Sequence, residues 1–280
     1  MTENYSPLGL TDRAALNHFL QKKLLPGFSH YDVWQSQHAI AFTVAKMLDA
    51  DLLAETRAAL TQALEGGTSF DTFKQRLKPY LMAKGWWGEQ IMTDPADGLP
   101  KPVRLGSTRR LHTIFNTNIQ TAHAASRWAR IQHSKKALPY LRYNHSAAEY
   151  KRHEHRRYYG LILPVEHPLW QQIFPPNGYG CQCSVSQLTR KQAEREGISQ
   201  EPDIPIIEAV NPRTGQSIKV PAGISPEFAH NHSDRLGGLD EMFARKHGQD
   251  ALDELIRQRQ KWLDQRYRTP AEIRILHLPR

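Results

Sequence analysis

The sequence is poor in sulfur and has no long apolar run. Two cysteines, Cys181 and Cys183, occur in 280 residues, one residue apart. A bridge between them would close a tiny, strained loop and staple little. The chain is therefore expected to be made in a reducing cytoplasm. No window approaches the roughly 18 apolar residues that a membrane span requires, so no membrane partner is expected. The opening stretch, Met1 to Phe19, has no basic segment followed by an apolar one, so no secretory signal is expected. Internal repeats and low-complexity tracts are also missing. Acid is in deficit: 28 acidic residues stand against 37 basic ones, a formal charge of +9 and a pI of about 9.6. Such a surface favours acidic partners such as nucleic acid. With 39% apolar and 23% charged residues the chain reads as folded, long enough for one large domain or two modest ones.

What is present reads first as helix. Leu16, Phe19 and Leu20 keep helical spacing and face a core, and Pro26-Gly27 break that run. A second helical run is expected from near Trp34 through Ala39, Phe42, Ala45, Met47 and Leu48. A third covers Leu52 to Leu64 and ends at Gly66-Gly67. Ser69 caps a fourth, Phe70 to Lys84, with Phe73, Leu77 and Leu81 on one stripe. Residues 85–106 hold Trp86-Trp87 and a polar, Pro-rich stretch, and read as a loop between two helical blocks. A long amphipathic helix follows from Thr108 to Lys136.

After Pro139 the texture changes. Short strands are expected at Tyr140 to Tyr143, Leu161 to Val165 and Cys183 to Leu188. Pro205 to Val210 and Gln216 to Val220 flank a hairpin signal at Asn211 to Gly215. A helical pattern returns from Leu239 to about Tyr267. The fold class is α+β: a helical N-terminal block and a long central helix carry a small β-rich module around the Cys-x-Cys loop. The expected divisions are a helical block at 1–85, a loop at 86–106, a core of long helix and β module at 107–232, and a helical extension at 233–280.

Pro175 to Gly180 should form a rigid loop, because Pro175 and Pro176 fix φ while Gly178 and Gly180 admit φ > 0. That loop aims Cys181 and Cys183, and on a strand both would face one side. With His155 they make a candidate metal site, for which zinc is the natural ion. The alternative is a pair of buried thiols beside a His155 that hydrogen-bonds a backbone carbonyl. His153 and His167 lie nearby in sequence. His153-Glu154-His155 beside Asn177 also invites a nuclease reading, but a further His one turn into a following helix is missing. Basic pairs recur at Lys22-Lys23, Arg109-Arg110, Lys135-Lys136, Arg156-Arg157 and Arg190-Lys191. The C-terminal stretch adds Arg257, Arg259, Lys261, Arg266 and Arg268. They form either a solvated helix face or a sequence-blind contact to DNA phosphates.

Several stretches resemble the Mu F-like minor head proteins of tailed bacteriophages, also called the head morphogenesis family. The N-terminal block is similar in Phe19 to Lys22, Trp34, His38 to Ala45, Ala50 to Leu53 and Gly66 to Phe70. The long helix is similar in Arg110, Ile114, Thr117-Asn118 and Ala122 to Arg127. The most specific part is Arg152-His153-Glu154-His155, Gly160, Pro168-Leu169-Trp170 and Pro175-Pro176-Asn177-Gly178-Tyr179-Gly180-Cys181-Gln182-Cys183. Val220 to Ile224 and Pro226-x-Phe228 resemble a closing loop. The resemblance spans roughly residues 12 to 232. The sequence departs from the family pattern at Ala148, Tyr150, His153 and Gln182.

The resemblance implies a minor capsid protein acting in phage or prophage head assembly, not an enzyme. It implies portal and other head proteins as partners, non-specific contact with packaged double-stranded DNA, and a place in the virion head or at the portal vertex. No cofactor is expected apart from the zinc alternative at His155, Cys181 and Cys183. A virion-carried nuclease or other hydrolase, or a free DNA-binding protein, are the competing readings. The C-terminal stretch lies beyond the matched region. It is expected to dock on the portal through its apolar stripe and to be dispensable for the fold.

Overall fold

A computed structural model describes residues 12–266. In chain order the elements begin with α1 (Arg13–Leu20), β1 (Lys23–Leu24) and β2 (Ala41–Phe42), then α2 (Ala50–Gly66) and α3 (Phe70–Ala83). A hairpin of β3 (Glu89–Thr93) and β4 (Pro100–Arg104) precedes the 27-residue α4 (Thr108–Ser134). The second half holds β5 (Tyr140–Asn144), β6 (Ile162–Pro164), α5 (Trp170–Ile173), β7 (Ser184–Leu188) and α6 (Arg190–Glu196). It closes with β8 (Ile206–Val210), β9 (Ser217–Pro221), α7 (Arg235–His247) and α8 (Gln249–Arg266). The fold is α+β. No described helix is long and apolar enough to cross a membrane.

The helices start and stop where local chemistry directs. Asp49 and Ser69 cap α2 and α3 by accepting amide hydrogens of the first turn, and Ser107 does so for α4. Gly67 ends α2 in the left-handed conformation at φ 58°.

Two apolar clusters meet along α4. Its N-terminal half contributes Leu111, Ile114, Phe115, Ile119 and Ala122 to a core shared with α1, α2 and α3. Its C-terminal half contributes Ala124, Trp128 and Ile131 to a second core, built on the sheet β6-β5-β7 and both cysteines. One continuous helix thus fixes the two cores relative to each other. Asp12 fastens α1 to this spine through Ser126 at 2.8 Å and Arg130 at 3.1 Å.

Four expectations are corrected. The segment after Trp34 is a short 3-10 helix, Gln35–Ala39, and then β2, which pairs in parallel with β1. Ala39, Phe42 and Met47 are buried from short or irregular elements while Leu48 is exposed, so the spacing only imitates a helix. The stretch read as a loop is the β3–β4 hairpin. Leu20 is exposed, and only Phe19 of the first helix's C-terminal pair is buried. The C-terminal pattern is two helices separated at Gly248, and the first begins at Arg235. Tyr267 and Arg268 lie outside the described residues.

α7 is stitched along its length to the N-terminal block. Glu241 accepts hydrogen bonds from Ser36 and, at 3.0 Å, from Gln37. Arg245 donates to the Asp32 carbonyl at 2.8 Å. Gly238 is buried so closely that a Cβ there would sit 2.5 Å from the Ser36 carbonyl. α8 folds back on α7 through the Arg259–Asp240 pair at 2.9 Å, with Leu252 and Leu263 buried.

Candidate functional site: the cysteine–histidine centre

The 3-10 helix His153–Tyr158 lies across the segment Pro221 to Ile224. Tyr158 donates to the Ala222 carbonyl at 2.7 Å, and His155 Nε2 meets the Gly223 carbonyl at 3.0 Å. Gly223 sits at φ 92°, and a Cβ there would lie 2.9 Å from the backbone oxygen of Glu154. Glycine at this position therefore lets the helix descend far enough for His155 to reach its carbonyl.

The loop from Pro175 to Gly180 is held from four sides. Asn177, fully buried, donates to Tyr143 Oη at 2.8 Å and to the Ile173 carbonyl at 2.7 Å. Ser225 donates its amide to the Asn177 carbonyl at 3.1 Å. Arg152 donates to the Tyr179 carbonyl at 2.5 Å, and His232 meets the Pro176 carbonyl at 2.9 Å. Gly180 has φ 73°, as the turn requires. Gly178 does not; it is needed for space, because a Cβ would fall 2.6 Å from Arg152 and 2.8 Å from Ser225.

This scaffold brings His155, Cys181 and Cys183 together, and all three are buried. The cysteines precede β7, so the loop and not a strand's alternation sets their common direction. His155 Nδ1 lies 3.5 Å from Cys183 Sγ and 3.8 Å from Cys181 Sγ. All three donor atoms lie within 4.8 Å of one another. Both thiols are free. Because the Gly223 carbonyl can only accept, His155 Nε2 carries the hydrogen of that contact, and Nδ1 faces the sulfurs. A hydrogen bond from the Cys181 thiol holds Cys183 well below the ordinary thiol range, against the opposing effect of burial, and His155 and Tyr143 reinforce it. The same contact, with burial, pushes Cys181 up.

The donor set fits a tetrahedral metal. Zinc–sulfur and zinc–nitrogen bonds of about 2.3 and 2.0–2.1 Å, opened at a tetrahedral angle, place S and N about 3.6 Å apart. The two S···N distances fall on either side of that value. The bond from Nε2 to a carbonyl is the support that ligating histidines usually have. Among the described residues no fourth His, Cys, Asp or Glu joins the group.

Other candidate residues lie elsewhere. His153 is exposed, and His167 pairs with Glu201 at 3.0 Å. Lys22 and Arg110 turn inward, Lys135 meets Glu166, and Arg257 and Arg259 meet Glu254 and Asp240. Arg109, Lys136, Arg156, Arg157, Arg190 and Lys191 remain on the surface.

Sequence reasoning missed a second polar centre. His38, His230 and His232 gather with Lys22 around a cavity between the N-terminal block and the segment following Pro226. Its halves lie nearly 200 residues apart in sequence, and no local spacing connects them.

Over residues 54–186 the chain matches the family described as Phage Mu protein F like protein. It is 34% identical over 189 residues to a protein named for capsid assembly, protein F of Escherichia phage Mu, covering 68% of this chain and 43% of that protein. It is 35% identical over 195 residues to the Mu-like prophage FluMu F protein of Haemophilus influenzae, covering 68% of this chain and 46% of that protein. The chain thus spans less than half the length of these curated relatives. No solved structure gives a significant match.

Proposed function

Because the chain belongs to the phage Mu protein F like family, we propose that it is a minor head protein of a Mu-like phage or prophage, made in the host bacterial cytoplasm and built into the head. The similarity to a protein named for capsid assembly carries this reading. Residues 107–232 form its head-morphogenesis core, and its partners are other head proteins, the portal first among them. Contact with packaged DNA falls to the exposed pairs Arg156-Arg157 and Arg190-Lys191, with Arg109 and Lys136, and is blind to sequence because it neutralises phosphates only. The role is non-catalytic. In its support, two of the four residues of the nuclease reading are spent on structure: Asn177 is buried on Tyr143, and His155 is buried on Gly223. Disrupting the gene in an inducible lysogen tests the reading. Full-length tails with few or defective heads are expected; normal yields of infectious heads would refute it.

The cysteine–histidine centre adds a structural zinc ion. The S···N distances and the carbonyl-anchored imidazole support it, and His155, Cys181 and Cys183 would supply three of its ligands. A metal at this point would lock the 3-10 helix, the Pro-rich loop and β7 together, since affinity for the ion becomes folding free energy. Protein purified under reducing conditions should carry about one zinc per chain, and the double substitution Cys181→Ser with Cys183→Ser should carry none. Wild-type protein that analyses as metal-free, and stays so after zinc is added, leaves two packed thiols instead.

A further inference from the structure

The second polar centre surrounds a cavity of about 280 Å³. Its cations are unneutralised. Lys22, 6% exposed, gives one hydrogen to the His38 carbonyl at 2.7 Å and has no carboxylate partner among the described residues. Arg110 is tied to neutral groups, the carbonyls of Arg104, Leu105 and Ala45. The one acid on the wall, Glu227, faces His30 at 3.5 Å. Burying charge without a counter-charge is costly, so a cavity with this lining favours an anion.

Unused hydrogen-bonding groups point the same way. His230 is buried, and neither ring nitrogen has a partner in the protein. His38 Nε2, Thr43 Oγ1 and Thr117 Oγ1 are likewise buried and unpartnered. His230 and the two threonine hydroxyls can each donate one hydrogen, and with the Lys22 ammonium they suit a tetrahedral oxyanion more than a planar carboxylate. A cation is the poorer fit. Lys22 and Arg110 oppose it, and the only described trio of metal-donor side chains that converges is the cysteine–histidine one. Burial keeps His38, His230 and His232 neutral, with Lys22 and neighbouring histidines adding to the effect; His232 spends its one hydrogen on the Pro176 carbonyl, and His230 is the imidazole free to donate.

The volume exceeds that of one phosphate, and the wall changes character. Val44, Ile114 and Phe228 supply an apolar side, and the exposed residues His30 and Tyr179 also line the cavity. We propose that this cavity is a binding site for a small organic phosphate, in which Lys22, the His230 imidazole and the buried threonine hydroxyls hold a phosphomonoester dianion, Arg110 on the wall adds a second positive charge, and the apolar wall takes the carbon body. The two unneutralised cations match the charge of roughly −1.5 to −2 that such a group carries at neutral pH. The site stands apart from the cysteine–histidine centre and does not depend on the head-assembly reading.

Calorimetry on the full chain, at constant ionic strength, tests it with adenosine monophosphate, inorganic phosphate and adenosine. The monophosphate should bind one per chain, inorganic phosphate about tenfold more weakly, and adenosine not measurably. Lys22→Met, close in volume, should weaken the monophosphate by about tenfold or more through loss of a charge-assisted bond. Arg190→Gln, on the far surface, should leave it unchanged. A second readout needs no variant: ring nitrogen signals of His38 and His230 should shift on titration, with the midpoint seen in calorimetry. Absence of heat and of histidine shifts up to about 10 mM would overturn the proposal and leave a hydrated cavity. Binding that moves no histidine signal, or weakens equally with Arg190→Gln, would place the phosphate on the basic surface and overturn it too.

Discussion

Asp12 joins the first helix to the central one, and removing its carboxylate should loosen the whole N-terminal core. Oδ1 accepts the Ala15 amide at 3.1 Å, which caps α1, and the Ser126 hydroxyl at 2.8 Å on α4. Oδ2 accepts from Arg130 at 3.1 Å and faces His123 at 3.3 Å. Asp12→Ala loses the cap, about 1 kcal/mol. It also loses a part-buried bond to Ser126, about 1.5 kcal/mol with its unsatisfied partner. The Arg130 contact adds little, about 0.5 kcal/mol, because that guanidinium is 60% exposed and screened. The total is about 3 kcal/mol. Asp12→Asn keeps an acceptor for both Oδ1 bonds and should cost about 1 kcal/mol.

At two to four degrees per kcal/mol for a chain of this size, Asp12→Ala should melt about 6–12 °C below wild type. Urea denaturation followed by circular dichroism measures both variants. The pH dependence has a definite sign. Burial works to raise the Asp12 carboxyl, but the bonds from His123, Ala15, Ser126 and Arg130 outweigh it and hold it far below the usual carboxylate range. Its contribution is therefore present above the unfolded value near 3.9 and is lost as pH falls below that. The gap between wild type and Asp12→Asn should narrow below about pH 4. If Asp12→Ala lies within about 0.5 kcal/mol of wild type at pH 7, the coupling of α1 to α4 through this carboxylate is refuted.

Three further outcomes follow from other sites. The buried histidines His38 and His232 have folded values near 3 and 4, so the unfolded chain binds more protons below about pH 6.5. Each should cost up to about 1.4 kcal/mol per pH unit on acidification, and the urea midpoint should drop between pH 7 and pH 5; an unchanged midpoint contradicts their burial. Gly223→Ala should destabilise by about 1–3 kcal/mol through its positive φ and the close approach of Glu154, and should lower zinc content with it; a silent substitution would contradict the docking of the His155 helix. A chain ending at Gly248 should stay folded because α7 keeps its bonds to Ser36 and Gln37, whereas one ending at Gly238 should aggregate or melt early; equal melting of the two would contradict this role for α7.

The legible parts of the fold were those with local signals. Ser69 and Gly67 mark helix ends through their own hydrogen bonds or φ, and α4 carries its stripe over 27 residues. The β3–β4 hairpin was hidden because its strands are almost wholly exposed and include Pro100 and Pro102, so neither alternation nor β-propensity marks them. Asp97-Gly98, with Gly98 at φ 69°, was the turn signal to use. The run after Trp34 misled because residues buried from irregular backbone need no period. The cysteine–histidine centre was legible because its three residues lie within 30 positions and share a motif. The histidine cavity was not, since tertiary packing alone brings His38 to His230.

The central claim is that this chain is a component of the phage head. The direct measurement is quantitative mass spectrometry of particles purified from an induced lysogen, separated into heads and tails. The account predicts the chain in the head fraction at a fixed, low ratio to the major capsid protein, retained after a high-salt wash. Its recovery only from the soluble lysate, with heads free of it, would contradict the account.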